Sequence, residues 1–124
     1  MTRNLDPSQI VSPETVEQAI TELVFKRGNE GIAQIAIERQ RQINQEGWTP
    51  EHDDEHVQGQ LARAACCYAM RPHDSRREYV PLAWPWEHEW WKPSPDPIRN
   101  LVKAGALIAA EIDRLQRAKK EEAR

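Results

Sequence analysis

Apolar residues recur at intervals of three and four positions in four segments of the chain, which is the spacing that one face of an α-helix requires. Three of these segments open with a capping residue followed by proline, namely Ser12-Pro13, Thr49-Pro50 and Asp96-Pro97. The capping side chain accepts a free backbone N–H, and proline suits the first helical position because no amide proton is needed there. The sequence therefore predicts helices over residues 13–26, 31–46, 50–70 and 97–118.

The apolar positions within each segment define the faces that we expect to be buried. The third helix is also rich in small residues, which would let a neighbouring helix approach closely. These features predict an all-α fold, a compact bundle of about four helices. The expected core positions are Val16, Ile20, Leu23 and Val24, then Ile32, Ile35, Ala36 and Ile43, then Val57, Leu61, Ala64 and Tyr68, and finally Leu101, Ala104, Gly105, Ile108, Ile112 and Leu115.

A long segment rich in proline and tryptophan, residues 71–95, separates the third and fourth predicted helices. Its tryptophans stand at positions 84, 86, 90 and 91 among several prolines, a pattern that neither a regular helix nor a central strand tolerates. The tryptophans could stack on nucleobases, or the segment could be strapped across the bundle and cover its open side. We favour the strap, with one or two tryptophans facing a ligand pocket.

The length of 124 residues predicts a single domain, residues 1–124, with flexible ends over residues 1–12 and 119–124. A net charge of -3 and a pI near 5.8 give no overall attraction for nucleic acid, so nonspecific binding to it is disfavoured. No apolar run approaches the roughly 20 residues that a membrane span needs, and no secretion signal is evident. Adjacent Cys66 and Cys67 would point apart on a helix and stay free, which favours the cytoplasm.

Polar side chains interrupt the expected apolar face of the second helix. Arg39 falls in the middle of that face, and Glu38 and Glu46 lie beside it. Burying a guanidinium is costly unless it meets a carboxylate, so Arg39 needs a partner, for which Glu46, Asp53 and Glu111 are the candidates. The sequence does not decide whether Arg39 forms a structural ion pair or binds an anion.

The start of the third predicted helix gathers acidic and imidazole side chains. On a regular helix from Pro50, Asp53 and His56 would share the core-facing side. His52 and His56 are four residues apart, the spacing by which two imidazoles can reach one metal ion. The alternative is a solvated helix start, where the helix dipole favours acidic groups.

The fourth predicted helix contributes two further charged side chains. Glu111 lies one turn from Leu107 on one side and Leu115 on the other, so we expect it to border the core. Lys103 is interpreted more simply as a surface lysine whose stem packs on the helix while its ammonium group stays in water.

Seven short motifs are spread over residues 32 to 117. They are Glu38-Arg39 with Gln42, Glu46 to Thr49, His52 to Asp54, Gly59-Gln60-Leu61 with Ala64-Ala65, Trp91 to Pro93, Leu101 to Ala104, and Ala110 to Ile112. This pattern resembles a group of small proteins common in tailed phages and prophages. The resemblance implies a phage-derived protein and does not identify a reaction.

The distribution of carboxylates over a helical bundle is also loosely similar to the MazG-like all-α nucleotide pyrophosphohydrolases, whose helical carboxylates hold magnesium against a nucleoside triphosphate. The signature of that class is Glu-x-x-Glu followed later by Glu-x-x-Asp. In this chain Glu38 is followed three residues later by Arg41, and Glu111 by Arg114.

We therefore expect a phage-derived domain that binds a nucleotide or a related phosphorylated small molecule and, in the catalytic version, hydrolyses it with Mg²⁺. The alternatives are an interaction protein that inhibits a host defence component, and a nucleotide-signal sponge without turnover; a homo-oligomer is open in each case. The expected catalytic residues are Glu38, Asp53 and Glu111, the metal ligands Glu38, Glu46, Asp53, His56 and Glu111, and the ligand contacts Arg39, Lys103, Trp48, Trp86 and Trp91.

Overall fold

The computed structural model describes residues 13–25, 29–71 and 80–124, and this part of the chain contains helices, turns and loops but no strand. The compact all-α bundle predicted from the sequence is thereby confirmed. The expectations for residues 1–12, for part of the long loop (72–79) and for the side chains of Leu23 and Val24 lie outside the described residues. The helices are α1 Pro13–Phe25, α2 Glu30–Gln45, α3 Pro50–Asp53, α4 Gln60–Met70 and α5 Pro97–Glu122, with a short 3₁₀ turn at His88–Trp90.

Local capping sets two of the helix starts. The Thr49 hydroxyl accepts a hydrogen bond from the His52 amide at 3.3 Å, and the Asp96 carboxylate accepts one from the Ile98 amide at 3.0 Å. In both cases proline occupies the first turn, as the sequence predicted. The far end of α5 extends to Glu122, beyond the predicted end at residue 118.

The predicted continuous helix over residues 50–70 is wrong, because the chain breaks it into α3 and α4. Gly59, immediately before α4, has a φ of +78°, a left-handed conformation that favours glycine and cannot continue a helix. The break takes His56 off the helical face that it was expected to share with Asp53. Val57, expected in the core, is 64% exposed.

The core lies mainly between α4 and α5, the pair of helices that pack most extensively, while α2 packs on α5 and α1 packs on α2. Leu61 and Tyr68 of α4 meet Leu107 of α5, and small residues between them allow the close approach. Trp84 and Trp91 from the long loop complete this cluster, each 8% exposed. The described part of the loop therefore packs on the bundle, as the strap interpretation expected.

The most deeply buried side chains of α2 are largely polar, whereas the predicted core residues Ile35, Ala36 and Ile43 are only half-buried. Glu38 and Gln42 are buried, whereas Ile32 is 61% exposed. A polar side chain is stable inside only when its hydrogen-bonding groups are satisfied, and Glu38 meets this condition through the arginines described below.

Helix α5 has two apolar faces, and the one with the smaller residues points inward. Ala104, predicted in the core, is buried there together with Val102, Ala106, Leu107 and Ala110. Small side chains let the axis of α4 come close, which favours this face over the one that carries larger side chains. The expected core residues Leu101, Ile108, Ile112 and Leu115 are instead about half exposed.

Gly105 sits at the contact between α5 and α2. A Cβ atom at this position would lie 2.5 Å from Cδ1 and 2.7 Å from Cγ1 of Ile35. Only the absence of a side chain allows α2 to pack here, and this packing sets the distance between the charged groups of α2 and α5.

Two further expectations concern the cysteines and membranes. Cys66 and Cys67 are both free, and burial raises the pKa of the Cys67 thiol. Among the helices of the described residues, none has the length and apolar character needed to cross a bilayer.

Gly105→Ala should destabilise the protein although alanine is the better helix former. Overpacking against the stiff Ile35 side chain costs about 1–3 kcal/mol. The higher helix propensity of alanine offsets about 1 kcal/mol of this cost. We expect a net loss of up to ~2 kcal/mol in the free energy of unfolding, measured by urea denaturation. Gly31→Ala is the matched control, since no atom lies within 4 Å of its added Cβ and it should stabilise. Equal stabilisation by both variants would contradict the close α2–α5 contact.

Candidate functional site

Arg39 and Asp53 form a buried ion pair between α2 and α3. Arg39 Nη2 donates to Asp53 Oδ2 at 2.7 Å, and the Asp53 side chain is 1% exposed. Arg39 Nη1 also donates to the Trp48 carbonyl at 3.3 Å. Of the three partners predicted for Arg39, the structure places Asp53 against it.

Glu38 is the most strongly held carboxylate of the structure. Arg41 donates to both of its oxygens at 2.7 and 3.0 Å, and Arg99 of α5 donates to Oε1 at 2.6 Å. Gln42 Nε2 adds a hydrogen bond at 3.0 Å. Burial alone would raise the pKa of Glu38, but the hydrogen bonds from Arg41 and Arg99 outweigh burial and lower it.

Two more carboxylates pair with arginines: Glu111 with Arg114, and Glu46 with Arg41, which it shares with Glu38. Arg114 Nε donates to Glu111 at 2.5 Å, and this bond raises the pKa of Arg114. Arg41 Nη1 donates to Glu46 at 3.0 Å. The side chain of Glu111 is 12% exposed, so it borders the core as the sequence predicted.

The donor set does not fit the Mg²⁺ ion expected from the sequence. Glu38, Asp53 and Glu111 lie in three separate ion pairs, and their oxygens already accept hydrogen bonds from arginines. Within the described ranges, no group of three or more His, Cys, Asp or Glu side chains could hold a metal ion. Arg41 and Arg114 stand where the MazG-like signature has a second acid, and they neutralise the carboxylates that would otherwise attract a cation.

A large cavity opens beside α3 and the loop, with a volume of about 690 Å³, within the range of small-molecule sites. Arg39, Asp53 and Glu111, which the sequence assigned to the site, do not line it. The lining residues are Gln45, Glu46, Trp48, His52, His56, Trp84, Pro85, Trp86, Glu87 and Trp90.

Aromatic rings form most of the walls of this large cavity, which we call the aromatic cavity. Trp48 stacks on His52 with a ring separation of 6.3 Å and an angle of 6°, and His56 meets the edge of Trp86 at 5.3 Å. His52 and His56, considered above as a metal pair, are in edge contact at 5.0 Å and serve here as ring partners of tryptophans. Burial and the neighbouring His52 lower the pKa of His56, which favours its neutral form.

The tryptophans divide between the core and the aromatic cavity differently from the prediction. Trp91, an expected ligand contact, packs in the core against Tyr68 at 4.7 Å and does not line the aromatic cavity. Trp90 lines it instead and is 54% exposed. Sequence spacing missed Trp90 because the 3₁₀ turn at His88–Trp90 decides which of two adjacent rings points inward. Trp48 and Trp86 line the aromatic cavity as expected.

A smaller cavity of about 70 Å³ shares Glu46, Trp48 and Trp90 with the aromatic cavity. Its other lining residues are Glu38, Arg41, Gln42, Tyr68, Lys92, Lys103 and Leu107, and we call it the cationic cavity for its arginine and two lysines. Gln42 Oε1 is buried here without a hydrogen-bond partner among the described residues. A buried acceptor of this kind favours a ligand or water that can donate to it.

Lys103 is not the free surface lysine that the sequence suggested. Its ammonium group donates to the Lys92 carbonyl at 2.9 Å and lies 5.4 Å from the centre of the Tyr68 ring. Burial lowers the pKa of Lys103, and the nearby charge of Arg99 lowers it further. An anion in the cationic cavity would relieve this crowding of positive charge.

Comparison of the chain with models of protein families, with characterised proteins and with solved structures found no match.

Asp53→Ala should destabilise the protein by about 3–5 kcal/mol, because it leaves the Arg39 guanidinium buried without its partner. Asp54→Ala is the matched control, since Asp54 pairs with Arg117 on the surface at 2.8 Å. An exposed pair contributes about 0–1 kcal/mol. Urea denaturation of both variants measures the difference, and equal effects would show that the Arg39–Asp53 pair is not buried.

Stability should fall as the pH drops from 7.5 to 5.5, in part through His56. Its pKa is lower in the folded protein than in the unfolded chain, so the unfolded chain binds the proton more tightly. Protonation of His56 therefore favours the unfolded chain over the folded protein below about pH 6.5. His56→Gln should reduce this loss, measured by urea denaturation at both pH values. His88→Gln, which removes an exposed imidazole outside the aromatic cavity, should leave the loss unchanged. A pH dependence that survives His56→Gln intact would contradict the burial of a neutral His56.

Proposed function

We propose that this chain binds a nucleotide, with the base in the aromatic cavity and the phosphate in the cationic cavity. One observation carries the proposal: the two cavities share the wall formed by Glu46, Trp48 and Trp90. A flat base can stack on the exposed ring of Trp90 or on Trp48, and each such stack contributes about 1–3 kcal/mol. Ribose would cross the shared wall, where its hydroxyl groups can donate to acceptors such as Gln42 Oε1.

The phosphate in this proposal meets Arg41, Lys92 and Lys103. Lys103 is held by its hydrogen bond to the Lys92 carbonyl, so little side-chain entropy is lost when an anion binds. Arg41 is held by Glu38 and Glu46, which neutralise its charge, so the two lysines carry the positive charge that the phosphate would meet. Arg39, the predicted phosphate contact, is committed to Asp53 and takes no part.

The proposal is limited to binding, as in a nucleotide-signal sponge, because the carboxylates expected to hold Mg²⁺ are paired with arginines. Metal-independent positioning of phosphate by cations needs no such ligand set. The protein would be phage-derived, as its motifs suggest, and would act in the cytoplasm of the host cell.

A second candidate function is an interaction protein that inhibits a host protein, and the outer face of α5 favours it. Ile98, Leu101, Ile108, Ile112 and Leu115 are each about half exposed or more, and they follow one another at intervals of three, seven, four and three residues along the helix. Exposed aliphatic side chains in a continuous row are typical of interfaces with other proteins.

Titration calorimetry with AMP, GMP, CMP and UMP tests the nucleotide proposal. We expect binding of at least one nucleotide in the presence of EDTA, because no metal ion is required. Trp90→Ala should weaken binding by about 1–3 kcal/mol through the lost stack, and Lys103→Gln should weaken the binding of the nucleotide more than that of its nucleoside.

Leu82→Ala and Lys119→Gln are the matched controls, since both residues are exposed and lie outside the two cavities. Both variants should bind as the unaltered protein does. Absence of binding by all four nucleotides, with and without Mg²⁺, would contradict the proposal and favour the interaction protein.

A further inference from the structure

The aromatic cavity differs from the cationic cavity in the sign of its charged groups. Among the described residues, no lysine or arginine lines the aromatic cavity, whereas Glu46 and Glu87 both do. The carboxylates of Glu46 and Glu87 are therefore the acidic groups beside the base site. A base that presents hydrogen-bond donors is therefore better matched to this cavity than one that presents acceptors.

The carboxylate of Glu87 is available to a ligand, unlike that of Glu46. Glu46 already accepts a hydrogen bond from Arg41 at 3.0 Å. The Glu87 side chain accepts none from any residue in the described ranges, and it is exposed at the cavity wall. Its backbone is fixed, because the Glu87 carbonyl accepts hydrogen bonds from Trp84 Nε1 and from the Trp90 amide, both at 3.0 Å. Within the part of the chain that the structure describes, Glu87 is thus a carboxylate without a donor, on a wall whose backbone is held by hydrogen bonds.

A carboxylate with two free oxygens pairs best with two adjacent N–H donors in one plane. Among the common nucleobases, guanine offers this arrangement through its N1–H and its 2-amino group. Adenine offers one donor beside one acceptor on the same edge, so a carboxylate would repel its ring nitrogen. Stacking on tryptophan does not distinguish bases, and selectivity must therefore come from such polar contacts.

We propose that the aromatic cavity selects guanine, with Glu87 as the residue that reads its two N–H donors. This inference rests on the proposed nucleotide-binding function and adds the identity of the base. Hypoxanthine, the base of IMP, lies between guanine and adenine in this respect, because it keeps N1–H but lacks the 2-amino group of guanine.

Titration calorimetry with GMP, IMP and AMP at one fixed salt concentration tests the selectivity. We expect GMP to bind at least about tenfold more tightly than AMP, with IMP between them, which corresponds to about 1.4 kcal/mol for the paired donors. Glu87→Gln should weaken GMP about tenfold and bind AMP as well as before or better, because an amide matches the donor and acceptor of adenine. Glu89→Gln, which removes an equal charge two residues away and outside the cavity, should leave the order unchanged.

Each other outcome overturns the inference in a distinguishable way. If GMP, IMP and AMP bind equally, or if Glu87→Gln leaves their ratio unchanged, nucleotide binding stands and the selection of guanine by Glu87 is wrong. If no nucleotide binds, both proposals fail. Binding of phosphocholine in the absence of any nucleotide binding would also overturn both, and would assign the aromatic cavity to an organic cation held by tryptophan faces.

Discussion

The buried carboxylate of Glu38 is the constraint on which the arrangement of the helices depends. An unpaired charge in this position would cost several kcal/mol, so the fold must bring cations to it. Arg41 comes from the same helix, but Arg99 comes from α5, and its bond to Glu38 ties α5 to α2. The close contact at Gly105 allows these helices to meet at that distance. The cationic cavity, with Lys103 on its wall, follows from this charged junction.

Arginine pairing also explains why the described residues of this bundle, although rich in carboxylates, include no group that could hold a metal ion. A carboxylate three residues before an arginine on a helix has its partner within reach before any tertiary contact forms. Glu38 with Arg41 and Glu111 with Arg114 both use this spacing. Among the described residues, Lys92 and Lys103 line the cationic cavity without such a pair, and the proposed ligand is therefore an anion.

The tryptophans of the loop connect the stability of the fold to the shape of the proposed site. Helices lined with alanine approach closely but bury little apolar area, so the indoles of Trp84 and Trp91 supply much of the core. Trp84 also meets Trp86 at 5.3 Å, edge to face, and thereby fixes a wall of the aromatic cavity. Because these walls are continuous with the core, the base site is formed before a ligand arrives, which reduces the entropy lost on binding.

The sequence by itself determined the helix starts at Pro50 and Pro97, the all-α class and the need of Arg39 for a carboxylate partner, because capping needs only neighbouring residues and a buried guanidinium needs a carboxylate. Only the tertiary structure decided which faces of α2 and α5 are buried. Periodicity identifies the apolar residues on one face of a helix, but it does not identify the neighbouring element that packs against that face. Small residues on α4 and α5 allowed close packing, so the larger aliphatic side chains of α5 stayed outside. Tertiary packing also decided that Trp90 lines the aromatic cavity and that Trp91, the predicted residue, does not. Adjacent rings are equivalent in the sequence, and only the turn and the space left by α4 and α5 distinguish them.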